Sequence, residues 1–408
     1  MKNIVDRFIS YTLIDTTSAE GTDVCPSNPN EFILARQLAD ELRELGIQDV
    51  KVDDNCFVYG YLPANADKKC DTVGFLAHMD TSNATSGKDI KARIIENYDG
   101  RDIELSEAIW TKVEDYPQIA ELKGKDIIVT DGTTLLGADD KAGVAIIMDV
   151  LSELVSHPEI QHGNIKVSFT PDEEIGSGIS HIDLNEFKVD YAYTLDGGNI
   201  NAIDYETFNA ASAHVLVHGN SIHPGDAKGR MINACQVLMD FHAMLPVFER
   251  PEFTEKREGF NHMVGMSGTC DKAEAYYIIR NHDSALLEKQ KKEFENIRDH
   301  INKMYGKEIV EVGLRNAYRN MKEAFADKMH IIELANKAIG AAGHKPVSEP
   351  VRGGTDGSQL TFMGIPTPNL GTGGMFYHGN HELLCIDDMK EMVKIVINLV
   401  GNIVERGQ

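Results

Sequence analysis

Short apolar segments alternate with amphipathic helical segments through the first half of this chain, and this alternation limits the folds it can adopt. Helical periodicity is clear at 30–46 and 142–155, where apolar residues recur on one face. The apolar runs, each followed by polar residues or glycine, lie at 72–77, 126–129, 165–169 and 191–195. Strands alternating with helices are typical of an α/β fold, so we predict a mainly parallel sheet with flanking helices.

The order of elements changes after residue 207. The patterns predict a strand at 213–217, a helix at 229–245 and two strands within 265–279. A helix at 284–305 and a strand at 309–318 follow. This order predicts a small α+β sandwich inserted into the first domain, and 408 residues are enough for two domains. The predicted boundaries are 1–207 and 323–408 for the two parts of the main domain and 208–322 for the insertion.

Composition excludes several kinds of partner. The formal net charge of −24 argues against binding to nucleic acid or to an anionic membrane. No apolar run approaches the roughly 20 residues needed to span a bilayer. The six cysteines are scattered without a Cys-x-x-Cys pair, which is typical of a reducing compartment. We therefore predict a cytoplasmic protein.

Polar side chains follow the predicted strands or precede a predicted helix. They are His78, Asp80, Asp139, Glu173, Glu174 and Asp196. In open α/β sheets, sites form outside the carboxyl ends of the strands. Residues far apart in sequence are therefore expected to meet at one edge of the sheet.

The adjacent pair Glu173 and Glu174 is the strongest sign of chemistry. Neighbouring carboxylates are costly because each raises the pKa of the other. A metal ion that binds one of them, or a reaction that needs the other as a base, would explain such a pair. The pair lies in Thr-Pro-Asp-Glu-Glu-Ile-Gly, between a strand and a glycine. An exposed turn is the alternative, but the flanking proline and glycine favour a constrained loop.

The second acidic pair, Asp139 and Asp140, lies in a Gly-Ala-Asp-Asp-Lys-Ala-Gly loop. Asp140 directly precedes the helix that begins near Lys141, and aspartate is a good helix cap. Asp139 is better explained as a carboxylate shared by two metal ions.

The remaining candidates are individually weak. His78 and Asp80 share one face of an extended segment, so Asp80 can orient a metal-binding His78. Asp196 could instead form a turn in Leu-Asp-Gly-Gly. The segment Tyr-His-Gly-Asn-His-Glu offers two histidines, His378 and His381. Carboxylates and histidines together suit two zinc ions, which accept oxygen and nitrogen ligands alike.

Taken together, these five motifs resemble those of the M20 family of co-catalytic zinc exopeptidases, and the resemblance extends over essentially the full chain. It implies two zinc ions per subunit, with Asp139 shared between them. The other ligands are His78 and Asp196 on one ion and Glu174 and His378 on the other. It also implies that Glu173 is the general base and that Asp80 orients His78.

The choice within each pair follows from the resemblance. Aligning the acidic loop on Lys141 with relatives that have one aspartate places the ligand at Asp139 rather than Asp140. The family's histidine precedes a glutamate by four residues, as His378 precedes Glu382, which favours His378 over His381.

The resemblance further implies an aminopeptidase that removes the N-terminal residue from tripeptides, and a homodimer formed through the inserted domain, which acts as a lid. His223, in a loop that in this family reaches the partner subunit's site, is a candidate oxyanion donor, or else a residue of a helix-entry loop. Arg352, in a glycine-rich loop, is a candidate clamp for the substrate carboxylate. Arg280, at the end of a predicted strand, is a second candidate.

Two other functions remain open at this point. The same metal site also suits a dipeptidase or an N-acyl amino acid deacylase of this family. A catalytically silent metal-binding protein is a third interpretation, but neither Glu173 nor Asp80 is needed merely to hold metal.

Overall fold

The computed structural model of the protein describes residues 2–22 and 24–407, and their contacts divide the chain into two compact units. The first unit comprises Met1–Tyr205, Ala324–Ser348 and Thr355–Gln408, and the second comprises Glu206–Glu323 and Glu349–Gly354. In the part of the chain that the structure describes, no helix is both long enough and apolar enough to cross a membrane.

The first unit begins with three helices and ten strands. The helices are α1 (Ile4–Thr12), α2 (Glu31–Glu44) and α3 (Ala138–Ser156). The strands are β1 (Gln48–Val52), β2 (Val58–Leu62), β3 (Val73–His78), β4 (Arg93–Ile95), β5 (Ile103–Ser106), β6 (Ile109–Thr111), β7 (Ile127–Val129), β8 (Ile165–Thr170), β9 (Tyr191–Gly197) and β10 (Ile203–Asp204).

The second unit contains four strands and two helices. They are β11 (Asn209–His218), α4 (Ala234–Met244), β12 (Phe260–Gly268), β13 (Lys272–Asn281), α5 (Ser284–Tyr305) and β14 (Val310–Tyr318). The chain then completes the first unit with α6 (Met329–Ala341), α7 (Asp356–Phe362), β15 (Asn369–Gly371), β16 (Gly374–Met375), β17 (Leu383–Cys385) and α8 (Ile386–Arg406).

A seven-stranded sheet in the order β1-β2-β8-β3-β9-β15-β10 forms the centre of the first unit. The four central strands, from β8 to β15, are parallel, and the outer strands pair antiparallel. Every residue of β3 is buried, which is expected for a parallel strand covered on both faces. The α/β prediction is confirmed, with the refinement that the sheet is mixed at its edges.

The apolar run at 126–129 lies outside this sheet. It forms β7, which pairs antiparallel with β4 and β17 in a separate four-stranded sheet. All three residues of β7 are buried. A run of three apolar residues carries no information about its partners, so only the tertiary structure assigns this strand to its sheet.

The second unit is a four-stranded antiparallel sheet in the order β12-β13-β11-β14, with α4 and α5 packed against it. Its core includes Val215, Phe241 and Phe294. The predicted helix at 229–245 begins only at Ala234, because Asn233 accepts the backbone N–H groups of Cys235 and Gln236 and caps it.

The segment Glu349–Gly354 belongs to the second unit, whereas the sequence assigned it to the main domain. The reason is Arg352, whose Nη1 donates hydrogen bonds to the backbone oxygens of Lys256 (2.9 Å) and Glu258 (2.8 Å). Its Nη2 donates to Thr254 Oγ1 at 2.9 Å. These contacts join residues about a hundred positions apart in the chain, so no local pattern reveals them.

Candidate metal centre and active site

The ends of three neighbouring parallel strands position the site. His78 is the last residue of β3 and lies beside Thr170, the last residue of β8. β9, which carries Asp196, pairs with the other side of β3. The loop after β8 carries Glu173 and Glu174. Side chains separated by more than a hundred residues therefore meet at one edge of the sheet.

His78, Asp139 and Asp196 form the first cluster. His78 Nε2 lies 2.8 Å from Asp139 Oδ1 and 3.5 Å from Asp196 Oδ1. One ligand atom from each residue lies within 4.8 Å of the others. Asp196 is held at its backbone, because its N–H donates to Asn369 Oδ1 at 3.0 Å. The three side chains thus have the composition and spacing of a metal site.

Asp139, Glu174 and His378 form the second cluster. His378 Nε2 lies 3.1 Å from Asp139 Oδ2 and 3.0 Å from Glu174 Oε2. His378 has a φ of +61°, an uncommon conformation for a non-glycine residue and one often found at functional sites. The two oxygens of Asp139 therefore face two different histidines, as a bridging carboxylate would.

The electrostatics of the two clusters favour positive charge between the carboxylates. Hydrogen bonds with Asp139 and Glu174 raise the pKa of His378 to about 10. Burial and then the Asp139 carboxylate raise the pKa of Asp196 to about 7. Burial would raise the pKa of Asp139 as well, but its hydrogen bonds with His378 and His78 lower it below the usual range.

The residues present fit two divalent cations. Each cluster combines one imidazole with two carboxylates, so a cation bound there would balance the negative charge. Glu174 Oε1 is buried and has no hydrogen-bond partner among the described residues, so it has an unused lone pair. The donor set of two imidazoles and three carboxylates is of the kind that binds zinc or a similar metal.

Asp80 holds the first histidine and the glutamate loop together. It is fully buried, and its Oδ1 lies 3.3 Å from His78 Nδ1. The same oxygen accepts the N–H of Glu173 at 3.0 Å, and Oδ2 accepts the N–H of Glu174 at 3.1 Å. Ser18 Oγ also donates to Asp80 Oδ2. This contact set suits a residue that orients a ligand.

Glu173 belongs to neither cluster among the described residues. Burial raises the pKa of Glu173 well above its usual value, and the Asp196 carboxylate adds to the effect. A carboxylate with a raised pKa that lies outside both candidate ligand groups is suited to accept a proton.

Asp140 and His381, the alternatives to Asp139 and His378, have other contacts. Asp140 accepts the backbone N–H groups of His78 and Gly143, each at 3.2 Å. Its own backbone angles are not helical, so it caps the regular part of α3, which follows it. His381 Nδ1 lies 2.9 Å from Thr111 Oγ1, and its ring packs on Tyr116. Neither residue is part of a cluster in the described chain.

His223, Arg280 and Arg352 all lie in the second unit. His223 is exposed, and its Nδ1 accepts the N–H of Gly225 at 3.1 Å. Arg280 Nη1 donates to the backbone oxygens of Ala211 and Ile279, each at 3.1 Å. The contacts of Arg352 with residues 254–258 hold its own segment in place.

Three further residues support the site without having been recognised in the sequence. Asn369 Oδ1 accepts the N–H of Asp196. Asp356 is buried and accepts the Thr170 hydroxyl at 2.7 Å, at the start of the loop that carries the two glutamates. Glu382 accepts backbone N–H groups from the loop that carries Asp139. Glu382 had a sequence signal in its spacing from His378, and Asp356 lies in the glycine-rich segment that begins at Arg352.

The profile of the peptidase family M20/M25/M40 matches residues 130–402. A protein called peptidase T from Caldanaerobacter subterraneus subsp. tengcongensis is 47% identical over 402 residues, which cover 98% of each chain. The chain therefore belongs to this peptidase family, and the resemblance drawn from the motifs is confirmed.

The fold is also similar to two solved structures. One is aminopeptidase PepT from Bacillus cereus, with a TM-score of 0.77, 24% identity and 98% of each chain covered. The other is a tripeptidase from Staphylococcus aureus, with a TM-score of 0.78, 19% identity, and coverage of 99% of this chain and 98% of that one. At these identities the comparison supports the fold.

Proposed function

We propose that the protein is a dinuclear zinc aminopeptidase that removes the N-terminal residue from tripeptides. The observation that carries the proposal is the position of Asp139, whose two oxygens face His78 and His378, with Glu173 left outside both ligand groups. Full-length relatives called peptidase T and the fold shared with a tripeptidase support the substrate class.

His78, Asp139 and Asp196 would hold one cation, and Asp139, Glu174 and His378 the other. Bound there, two zinc ions would lower the pKa of a water molecule and polarise the scissile carbonyl. Glu173 accepts the proton of the attacking water and transfers it to the leaving amine. Asp80 keeps Glu173 in place through its backbone N–H and fixes the ring of His78.

We propose that His223 is the oxyanion donor for the partner subunit's site, as the family resemblance implies. Its Nδ1 accepts the Gly225 N–H, so a neutral ring carries its proton on Nε2. That N–H is then available to stabilise negative charge on the substrate oxygen.

We also propose a homodimer formed through the inserted unit, which would act as the lid and dimerisation domain. Val264 and Met266 are more than half exposed on β12, an edge strand with open hydrogen-bonding groups, which supports such an interface. A cytoplasmic location agrees with the six cysteines, all of which are free.

Substrate class is tested by comparing kcat/KM for trialanine, dialanine and N-acetylalanine. We expect turnover of trialanine above all, its loss after treatment with a chelator, and its recovery when zinc is added back. Preference for N-acetylalanine or dialanine would instead support a deacylase or a dipeptidase. A protein that binds two metal ions and hydrolyses none of the three would be a metal-dependent binding protein.

Length selectivity is tested with Arg352→Ala. If Arg352 clamps the substrate carboxylate, the substitution raises KM for a tripeptide by roughly ten- to a hundredfold, because a charged hydrogen bond of about 1.5–3 kcal/mol is lost. The KM of the C-terminally amidated tripeptide should change far less.

Arg280→Ala tests the second candidate in the same way, since Arg280 also donates to backbone oxygens and its guanidinium lies over the ring of Tyr318. If Arg352→Ala raises KM equally for the tripeptide and for its C-terminal amide, Arg352 does not bind the substrate carboxylate. Its contacts with residues 254–258 then only stabilise the second unit. If Arg280→Ala instead raises KM for the tripeptide far more than for its amide, Arg280 is the residue that binds the substrate carboxylate.

A further inference from the structure

Glu382 is a buried carboxylate that directly contacts the loop carrying Asp139. Only 2% of its surface is exposed. Its Oε2 accepts the backbone N–H groups of Leu136 at 2.7 Å and Gly137 at 2.8 Å, and its Oε1 accepts the N–H of Asp139 at 3.1 Å. Both oxygens of one side chain thus bind three backbone donors within four consecutive residues.

The conformation of this loop requires such an acceptor. Gly137 has a φ of +77° in the left-handed region, and Asp139 has φ −87° and ψ 102°, outside the helical region. This backbone turns the N–H groups of Leu136, Gly137 and Asp139 towards one carboxylate, as in an anion-binding concavity. Leu136 and Ala138 are fully buried, and buried backbone N–H groups need an acceptor, which Glu382 provides here.

Glu382 also connects this loop to the second histidine. It follows His378 by four residues, and its own N–H donates to Gly379 O at 3.2 Å within the intervening turn. The next residue, Leu383, begins β17 and pairs with Val129 at the end of β7. Glu382 is therefore fixed by its backbone on one side and holds the Asp139 loop by its carboxylate on the other.

We propose that Glu382 is a positioning residue that places Asp139 between the two metal sites and thereby sets the metal affinity of both. The inference rests on the proposed dinuclear function. Glu382 is not a ligand: its carboxylate acts only through the backbone of residues 136–139. Because Asp139 is the one side chain common to both clusters, an error in its position weakens both sites together.

The test is Co²⁺ titration of the metal-free protein, followed by visible absorption, with wild type and Glu382→Gln. Glutamine keeps the shape of the side chain but presents an NH₂ group where an oxygen accepted an N–H, so at least one hydrogen bond is lost. We expect the Kd of both equivalents to rise by about 10–100-fold. Glu382→Asp, which keeps both oxygens on a shorter side chain, should fall between wild type and Glu382→Gln.

Asp53→Asn is the matched control. Asp53 Oδ1 also accepts two backbone N–H groups of a nearby loop, those of Asn55 (3.0 Å) and Phe57 (2.9 Å), but this loop carries no proposed ligand. We expect a lower Tm for Asp53→Asn, measured on the metal-free protein, with unchanged Kd values for both equivalents.

The inference is overturned if Glu382→Gln binds both Co²⁺ equivalents with wild-type affinity, or if its affinity falls for only one of them. An equal fall in affinity in Asp53→Asn would also overturn it. If Glu382→Gln does not fold, Glu382→Asp decides: weaker binding of both equivalents supports the inference and wild-type binding overturns it. A wild-type protein that binds fewer than two equivalents would refute the dinuclear proposal itself, which is a distinct result.

Discussion

Glu173→Gln is expected to retain two metal equivalents and to lose turnover of a tripeptide by roughly 10²- to 10⁴-fold in kcat. Glutamine is nearly isosteric with glutamate, and Glu173 is in neither ligand cluster. The N–H that Asp80 accepts belongs to the backbone, so the substitution leaves that contact in place. The change removes the group that accepts the proton and little else.

Metal content, measured by elemental analysis, and kcat together check this expectation. The matched control is Glu174→Gln, the adjacent residue, which should lose metal as well as activity because Glu174 Oε2 lies in the second cluster. A Glu173→Gln protein with normal metal content and normal kcat would refute the role of Glu173 as the base. Loss of metal in Glu173→Gln would make Glu173 a ligand instead.

Asp139→Asn is expected to weaken both metal positions in a single substitution. Asp139 Oδ1 faces His78 and Oδ2 faces His378, so the side chain contributes to both clusters. An amide carries no charge and offers one oxygen where the carboxylate offers two. We expect the Kd of each equivalent to rise by at least about tenfold, and activity to fall accordingly.

Asp140→Asn is the control for this substitution, because the two residues are adjacent and both are acidic. Asp140 accepts the N–H groups of His78 and Gly143, so its substitution should lower Tm while both equivalents remain bound. Titration with Co²⁺ distinguishes the two variants. Loss of one equivalent only in Asp139→Asn, or loss of both in Asp140→Asn, would assign the bridge to Asp140.

Local signals were sufficient to predict most of the elements. The helix expected at 284–305 is α5, Ser284–Tyr305, because Asp283 caps its first turn and Gly306 ends it with a φ of +62°. The buried strands β3, β8 and β9 were also expected at their positions, since continuous apolar runs bounded by polar residues require burial on both faces.

Part of the candidate site was predictable for the same reason. His78, Glu174 and Asp196 each lie at or just beyond the carboxyl end of a strand, and parallel strands bring these ends together. Their chemistry is visible residue by residue, because carboxylates and imidazoles are unusual at such buried positions. The pattern identified the residue types and the sheet edge where they meet.

Other features depend on contacts between segments that are distant in the chain, and no local pattern encodes such contacts. β7 is too short to indicate that it pairs with β17. Arg352 donates hydrogen bonds to residues about a hundred positions earlier in the chain. Glu382 contacts the Asp139 loop, which lies more than two hundred positions before it. The sequence by itself predicted which residue types form the candidate site and near which strand ends they lie. The tertiary structure decided which oxygen faces which histidine, because that depends on hydrogen bonds made only after the chain has folded.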